Sequence, residues 1–289
     1  MYFYIFDPGT DKEAKYFEKI QGQLLNYLAE LKVEGETYRV TSIRTVELLV
    51  EQAINGEART IVVVGSDSSL DRAINVVLTK RADITLGFIP LQPQSSLGKI
   101  LGISTDIQEA TQTLAGRLGK SLNLGKINEH YFLTQVDLGE PLTVGTDPGF
   151  FGWGGVRSLM KLSPFPLKLS LENSYTATSE VLTAQIINCR DNQGSRVKVG
   201  DPTDGLLDIL LLNPMSSAQL FRHRKELLAG KFQDLPGSTI MHAKKIQILG
   251  PKKLPLSISG QVYAKAPAEV AVAREKIKVT LTLRPSASA

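Results

Sequence analysis

Residues 60–77, TIVVVGSDSSLDRAINVV, decide the fold. Thr60 to Val64 is an unbroken β-branched run, the pattern of a strand buried on both faces. Gly65 ends it, and Ser66, Asp67, Ser68 and Ser69 make a short polar turn. From Leu70, apolar residues recur as Leu70, Ala73, Ile74, Val77 and Leu78, the spacing of one helix face. A strand, a tight turn and a helix N-terminus in succession aim unpaired N–H groups and the positive end of a helix dipole at one point. That point suits a phosphate. An ordinary βα turn with a serine-rich cap has the same letters, so Asp67 reads either as a ligand contact or as the cap of a helix starting at Leu70.

Working outward, Tyr2–Phe6 reads as a first strand closed by Asp7-Pro8-Gly9, and residues 11–32 as an amphipathic helix with Phe17, Ile20, Leu24, Leu28 and Leu31 on one face. A short strand follows at Tyr38–Val40, then a helix at Thr45–Asn55. Beyond the central stretch, Ile84–Ile89 is another buried strand, Leu91 to Ser96 lie in a loop, and Leu97–Leu101 forms a short helix. Asp106 with Glu109 has the spacing of a capping box before a helix with Ile107, Ala110, Leu114 and Leu118 inward. Alternating strands and helices imply a mostly parallel sheet in a Rossmann-like α/β domain.

The pattern changes near residue 122. Short apolar runs follow at Tyr131–Val136, Lys168–Leu171, Thr183–Asn188, Leu207–Leu212, Lys245–Leu249, Leu254–Ile258 and Lys276–Leu283, separated by Gly, Pro and Asn turns. These predict an antiparallel β-sandwich. Two interruptions read as helical: Gly152–Lys161, and Ser217–Leu228 with apolar Ala218, Phe221, Leu227 and Leu228. The aromatics around Trp153 read as a plug in the sandwich or as an apolar rim for a lipid. The expected organisation is an α/β domain over 1–122, an all-β sandwich over 123–284 and a flexible tail over 285–289.

Composition narrows the function. The 289 residues carry a formal charge of +4, which fits an anionic small molecule or a phospholipid surface. No dense basic run with interleaved aromatics argues for nucleic acid. One cysteine, Cys189, precludes an intrachain disulfide and a zinc cluster, and reads as a buried small hydrophobe. His130, His223 and His242 have no ligand spacing. No stretch has the roughly 18 apolar residues of a membrane span, and MYFYIFDPG lacks the basic start and cleavage site of a signal peptide. A soluble cytoplasmic protein is expected, with room for peripheral membrane contact and for a homodimer paired edge to edge.

Several stretches together resemble the diacylglycerol kinase catalytic domain family, bacterial lipid kinases included, which shares an architecture with NAD kinases. VVVGSDSSLDRAIN lies where that family has a strand, Gly-Gly-Asp-Gly-Thr and a helix; Gly65, Asp67 and Asn75 match. GFIPLQPQSSLGKILGI lies over Ile-Pro-Leu-Gly-Thr-Gly-Asn-Asp-Phe-Ala-Arg, matching at Pro90, Leu91 and the basic Lys99. KINEHYFLTQVDLG resembles the entry strand of the second domain, and Thr203-Asp204-Gly205-Leu206-Leu207-Asp208 its Asp-Gly-x-Leu-Asp turn. LPLSISGQVYAKAPAEVAV resembles a late strand pair that reads Asp-Gly-Glu in the family. The resemblance implies ATP and Mg²⁺ as cofactors and a lipid alcohol as acceptor. It implies nucleotide contacts at Gly65, Ser66, Asp67, Ser68, Ser69, Gln92, Ser95 and Ser96, and a metal near Asp204 and Asp208.

The departures from the family fall on the chemistry. Ser66 and Ser68 replace glycines and Ser69 replaces threonine, so left-handed strain of roughly 1–2 kcal/mol is expected in the phosphate turn. Gln92, Pro93 and Gln94 replace Gly-Thr-Gly, and Ser95-Ser96 replaces Asn-Asp. Ser259 stands where the family has the aspartate regarded as general base, and Gln261 where it has glutamate. A serine at its ordinary pKa is no base, and general base catalysis contributes about 10²–10⁴-fold. Three readings follow: a degenerate lipid kinase homologue that keeps nucleotide or lipid binding; an active ATP-dependent lipid kinase with a substituted base; and an interaction or scaffold protein without a small ligand.

Overall fold

The computed structural model describes residues 1–9, 11–92, 95–139, 163–172 and 175–280. Two compact units divide the chain: Met1–Leu122 together with the end of the chain from Glu275, and Asn123–Arg274.

The first unit runs β1 (Tyr2–Phe6), α1 (Asp11–Glu30), β2 (Gly35–Arg39), α2 (Val46–Asn55), β3 (Thr60–Gly65), α3 (Asp67–Thr79), β4 (Thr85–Pro90), α4 (Ser96–Ile100) and α5 (Ile107–Ala115). Its strands are parallel in the order β2-β1-β3-β4. The last strand of the chain (Ala268–Thr280) ends beside β4, pairing Lys278 with Thr85 and Val279 with Leu86 in parallel. Residues 61–65 of β3 are all buried, as the β-branched run requires of a strand covered on both faces. Helix α1 packs with α5, and α2 with α3. Phe17, Ile20, Leu24 and Leu28 are buried on α1, whereas Leu31 and Leu118 fall past their helix ends and stay 36% and 48% exposed. Caps fix the helix starts: Thr45 accepts from Leu48 N on α2, and Asp106 from Glu109 N at 3.0 Å on α5.

The second unit continues as β5 (Gly119–Ile127), β6 (His130–Phe132), β7 (Gln135–Leu138), β8 (Phe165–Leu171), β9 (Tyr175–Val181), β10 (Thr183–Ile187), β11 (Leu207–Leu212), α6 (Ser217–Arg222), α7 (Arg224–Leu228), a 3₁₀ turn (Phe232–Asp234), β12 (Ser238–Ala243), β13 (Lys245–Gly250), β14 (Pro255–Ile258), β15 (Gln261–Lys265) and β16 (Ala268–Thr280). One antiparallel sheet has the order β12-β11-β10-β7-β14-β15; the other aligns β16-β13-β8-β9, with β5 pairing β16 and β6. Val136, Leu138, Ala184, Ile186 and Leu256 of the first sheet share a core with Leu167, Leu169, Ile246, Ile248 and Val270 of the second. This is the sandwich that the alternation predicts.

Details differ from the sequence-based expectation. The run Tyr131–Val136 is divided between β6 and β7, β5 runs across residue 122, and the end of the chain from Glu275, expected in the sandwich, falls in the first unit. The helix expected at Ser217–Leu228 breaks at His223, so Leu220, Leu227 and Leu228 point into a core under the helices while Phe221 is 51% exposed. The helix expected at Gly152–Lys161, the segment around Trp153, Pro93, Gln94 and the tail from Pro285 lie outside the described residues.

Candidate functional site at the carboxyl end of the parallel sheet

In the order β2-β1-β3-β4 the chain leaves β1 in one direction to β2 and resumes on the other side at β3. Ligands of open parallel sheets bind at such a reversal, outside the carboxyl ends of the strands. Here that point lies between β1 and β3, where Asp7 follows one strand and Gly65–Ser69 the other. A methyl group on Gly65 would sit 3.0 Å from the Asp7 carbonyl oxygen and 3.1 Å from its Cβ, so a side chain there would push the Asp7 backbone back by a few tenths of an ångström. The Ser69 hydroxyl donates to Asp7 Oδ2 at 2.6 Å, and Arg72 Nη2 donates to the same oxygen at 3.0 Å. Arg72 Nη1 also lies 3.5 Å from Glu47 Oε1. Burial pushes the Glu47 carboxyl up, but hydrogen bonds from Thr45 and its own N–H, with the Arg72 charge, outweigh it and hold the group below its ordinary value.

The serine turn forms differently from its expected geometry. Helix α3 begins at Asp67, three residues before Leu70, because Ser66 takes the cap position with φ −88° and ψ 165° and accepts from Ser69 N at 3.2 Å. None of residues 66–69 has a positive φ, so the strain expected of serine in place of glycine is absent. Ser69 is fully buried, and Ser66 is half-buried with its hydroxyl 2.8 Å from that of Ser69. Ser68 is exposed. The first-turn N–H groups of Asp67 and Ser68 have no acceptor within the helix.

Asp67 is not the cap of its own helix. Its Oδ2 accepts from Ser96 N at 2.7 Å and Leu97 N at 3.1 Å, and its Oδ1 accepts from the Ser95 hydroxyl. Ser95, itself 1% exposed, caps α4 by accepting from Gly98 N at 2.8 Å. The Asp67 carboxylate therefore occupies the N-terminal donors of α4, where an external anion would otherwise be held. Gln92 is half-buried at the start of this loop, and Lys99 is exposed on α4.

The remaining expected site residues lie in the second unit. Ser259 and Gly260 turn the β14–β15 hairpin with φ 50° and 83°, and Ser259 and Gln261 are both exposed. A two-residue turn with both φ positive favours Asn-Gly or Asp-Gly. Here the exposed hydroxyl of Ser259 stands at that position, and Gln261 Oε1 accepts from the Tyr263 hydroxyl at 3.3 Å. Asp204 Oδ1 accepts from Leu206 N at 2.8 Å within its own turn. Asp208 is buried; its Oδ2 accepts from Gly200 N at 2.6 Å, and its Oδ1 lies 2.6 Å from His242 Nδ1. Among the described residues, no group of three or more His, Cys, Asp or Glu side chains is placed to hold a metal ion.

Sequence reasoning missed two groups. Asp7 and Arg72 tie the β1 and β3 turns together, and the acid placed directly after a buried strand was the available signal. The second is a part-buried network in the sandwich: Gln135 Nε2 and Gln185 Nε2 donate to Asp137 Oδ1 at 2.8 and 2.7 Å, and Arg190 donates to the side-chain oxygens of Gln135, Gln185 and Gln233. Burial holds the Asp137 carboxyl above its ordinary value and pulls the Arg190 guanidinium down to about 10. Its sign in the sequence was the polar alternation of Gln135 and Asp137 with Val136 and Leu138. Cys189 is buried, which raises its thiol to about 12 and leaves it unreactive.

Comparison with known proteins gives a consistent result. Residues 5–127 match the diacylglycerol kinase catalytic domain, and residues 144–281 match the YegS C-terminal NAD kinase beta sandwich-like domain. The chain is 21% identical over 279 residues to a diacylglycerol kinase of Bacillus subtilis (strain 168), covering 92% of this chain and 91% of that one. It is 22% identical over 275 residues to a diacylglycerol kinase of Staphylococcus aureus (strain Newman), covering 91% and 87%. Among solved structures, a diacylglycerol kinase from Bacillus anthracis str. Sterne superposes with a TM-score of 0.75 at 15% identity, over 98% of this chain and 97% of that one. An NAD kinase from Archaeoglobus fulgidus in complex with ATP superposes with a TM-score of 0.57 at 12% identity, over 97% and 93%. With the α/β unit and the sandwich matched in order, the chain belongs to the diacylglycerol kinase-like family with an NAD kinase-like fold.

Proposed function

We propose that this protein is a lipid kinase homologue whose phosphoryl transfer is reduced or absent and which retains binding of a nucleotide or a lipid. The observation that supports it most is the engagement of Asp67, whose two oxygens accept from Ser95, Ser96 and Leu97. The acid kept in the phosphate turn thus serves a neighbouring helix. The position matched to the family's base carries Ser259, and loss of a general base lowers a rate by about 10²–10⁴-fold. The residues fit part of an ATP site: the N–H groups of Asp67 and Ser68 and the Ser68 hydroxyl would hold a phosphate. Among the described residues no group of three or more His, Cys, Asp or Glu side chains assembles a metal donor set, and Asp204 and Asp208 each brace a turn by accepting from Leu206 N and Gly200 N. Bound ATP would supply the transferable phosphoryl group; this chain's residues orient its phosphates and contribute no proton acceptor at residue 259. A cytoplasmic location goes with this reading.

Purified protein incubated with radiolabelled ATP, Mg²⁺ and diacylglycerol or a sphingoid base tests the reading. Product should form at least about 10²-fold more slowly than with an active relative. Millimolar ATP should raise the melting temperature; a ligand at 100 times its Kd adds about 2.7 kcal/mol. Robust turnover refutes the loss of transfer. If neither nucleotides nor lipids bind, the retained-binding half fails and the scaffold reading takes its place.

A further inference from the structure

The outer face of the six-stranded sheet is covered by α6 and α7, anchored through Leu220, Leu227, Leu228 and Phe232. A reciprocal capping box between Ser216 and Gln219 fixes the start of α6. The outward side of these elements combines two kinds of surface. Phe221 is 51% exposed, with the Arg224 guanidinium 4.4 Å from its ring centroid, and Val197 in the adjoining loop is 40% exposed. That loop is tied to the 3₁₀ turn: Asp234 Oδ1 accepts from Arg196 N at 2.9 Å and Val197 N at 3.0 Å, and Lys231 Nζ donates to the Gln193 carbonyl at 3.1 Å. Residues 193–198 and 217–234 contain six cations (Arg196, Lys198, Arg222, Arg224, Lys225, Lys231) against Glu226 and Asp234. Their surplus equals the +4 of the whole chain, so the rest of the protein is neutral in sum.

We propose that this face docks on the surface of an anionic phospholipid bilayer. Each cation near such a surface is attracted by its negative potential, and an exposed phenylalanine beside arginines is the chemistry of an interfacial helix. A nucleic acid backbone would reward the cations but not the exposed Phe221 and Val197. The proposal is independent of phosphoryl transfer, because it concerns where the chain sits and not what it converts.

The test is co-sedimentation of the full chain with vesicles of phosphatidylcholine alone and of phosphatidylcholine mixed with phosphatidylglycerol. The wild-type protein should sediment with the mixed vesicles at low salt, be released by added salt and ignore the neutral ones. Arg222→Glu with Lys225→Glu should lower partitioning at least about tenfold, and Phe221→Ala severalfold. Both charged positions are exposed, so folding is retained. As an independent measurement, emission of a Phe221→Trp variant should be quenched by brominated lipid more than that of wild type. Equal binding to both vesicles, unchanged partitioning of the double variant, no added quenching, or stronger retention by duplex DNA than by anionic vesicles would each overturn the proposal.

Discussion

Replacing Asp67 with alanine separates a structural acid from a ligand-facing one. The change removes the acceptor shared by Ser96 N, Leu97 N and the Ser95 hydroxyl. Ser96 is exposed, so water replaces its lost partner at little cost. Leu97 and Ser95 are buried, at 4% and 1% exposure, and water reaches them poorly. Truncating a helix cap costs about 0.5–2 kcal/mol, and a hydrogen bond to a charged group contributes about 1.5–3 kcal/mol. Part of this is recovered, because Ser95 still caps α4 through Gly98 N. The expected loss for Asp67→Ala is therefore about 2–3 kcal/mol. With about 2–4 °C per kcal/mol for a chain of this size, the melting temperature should fall by about 4–12 °C. Asp67→Asn keeps an acceptor oxygen and loses only the charge, so it should fall between wild type and alanine. Thermal unfolding by circular dichroism gives the shift, and amide hydrogen exchange should be faster at Leu97. If Asp67→Ala is as stable as wild type or more so, the capping argument is wrong. A carboxylate held in place for a ligand is a source of strain, and its removal would stabilise the fold.

Three further outcomes are expected. In Gly125→Ala the new methyl would lie 2.0 Å from Phe132 Cζ, inside a buried ring contact; unfolding should show a loss of about 3 kcal/mol, and adding Phe132→Leu should recover much of it in a double-mutant cycle. Arg190→Met leaves Asp137 without its counter-charge, at a cost near the low end of about 3–5 kcal/mol because Arg190 is only half-buried. Burial already holds the Asp137 carboxyl above its ordinary value. A raised acid contributes most below its unfolded pKa and loses that contribution as pH rises through the folded value, and loss of Arg190 raises it further. The deficit of Arg190→Met should thus narrow as pH falls from neutrality toward the ordinary carboxylate range; urea titrations showing a constant deficit would refute the coupling. Ser259→Asn suits the left-handed turn and should gain about 0.5–1 kcal/mol, whereas Ser259→Val should lose about 1–2 kcal/mol, both read from denaturant midpoints.

Local physics made much of the fold legible. A β-branched run flanked by Gly65 has few stable conformations other than a buried strand, and the 3.6-residue spacing after it fixes which helix face turns inward. Asp106 as a cap, Cys189 as a buried thiol and the alternation of the sandwich strands were readable for the same reason: each depends on neighbours close in sequence. The errors arose where one residue competes for two roles. Ser66 outcompetes Asp67 for the cap of α3, and α3 gains three residues. At His223 the turn between α6 and α7 rotates the apolar stripe, so Leu220 is buried and Phe221 is left in solvent.

The sequence by itself determined the parallel sheet and the sandwich, because these follow from periodicity and residue type. Only the tertiary structure decided what Asp67, Asp7 and Arg72 do. Their partners lie 25 to 65 residues away in the chain, and the packing of strands and helices brings them within reach. A hydrogen bond forms where two groups meet in space, and packing sets that meeting point.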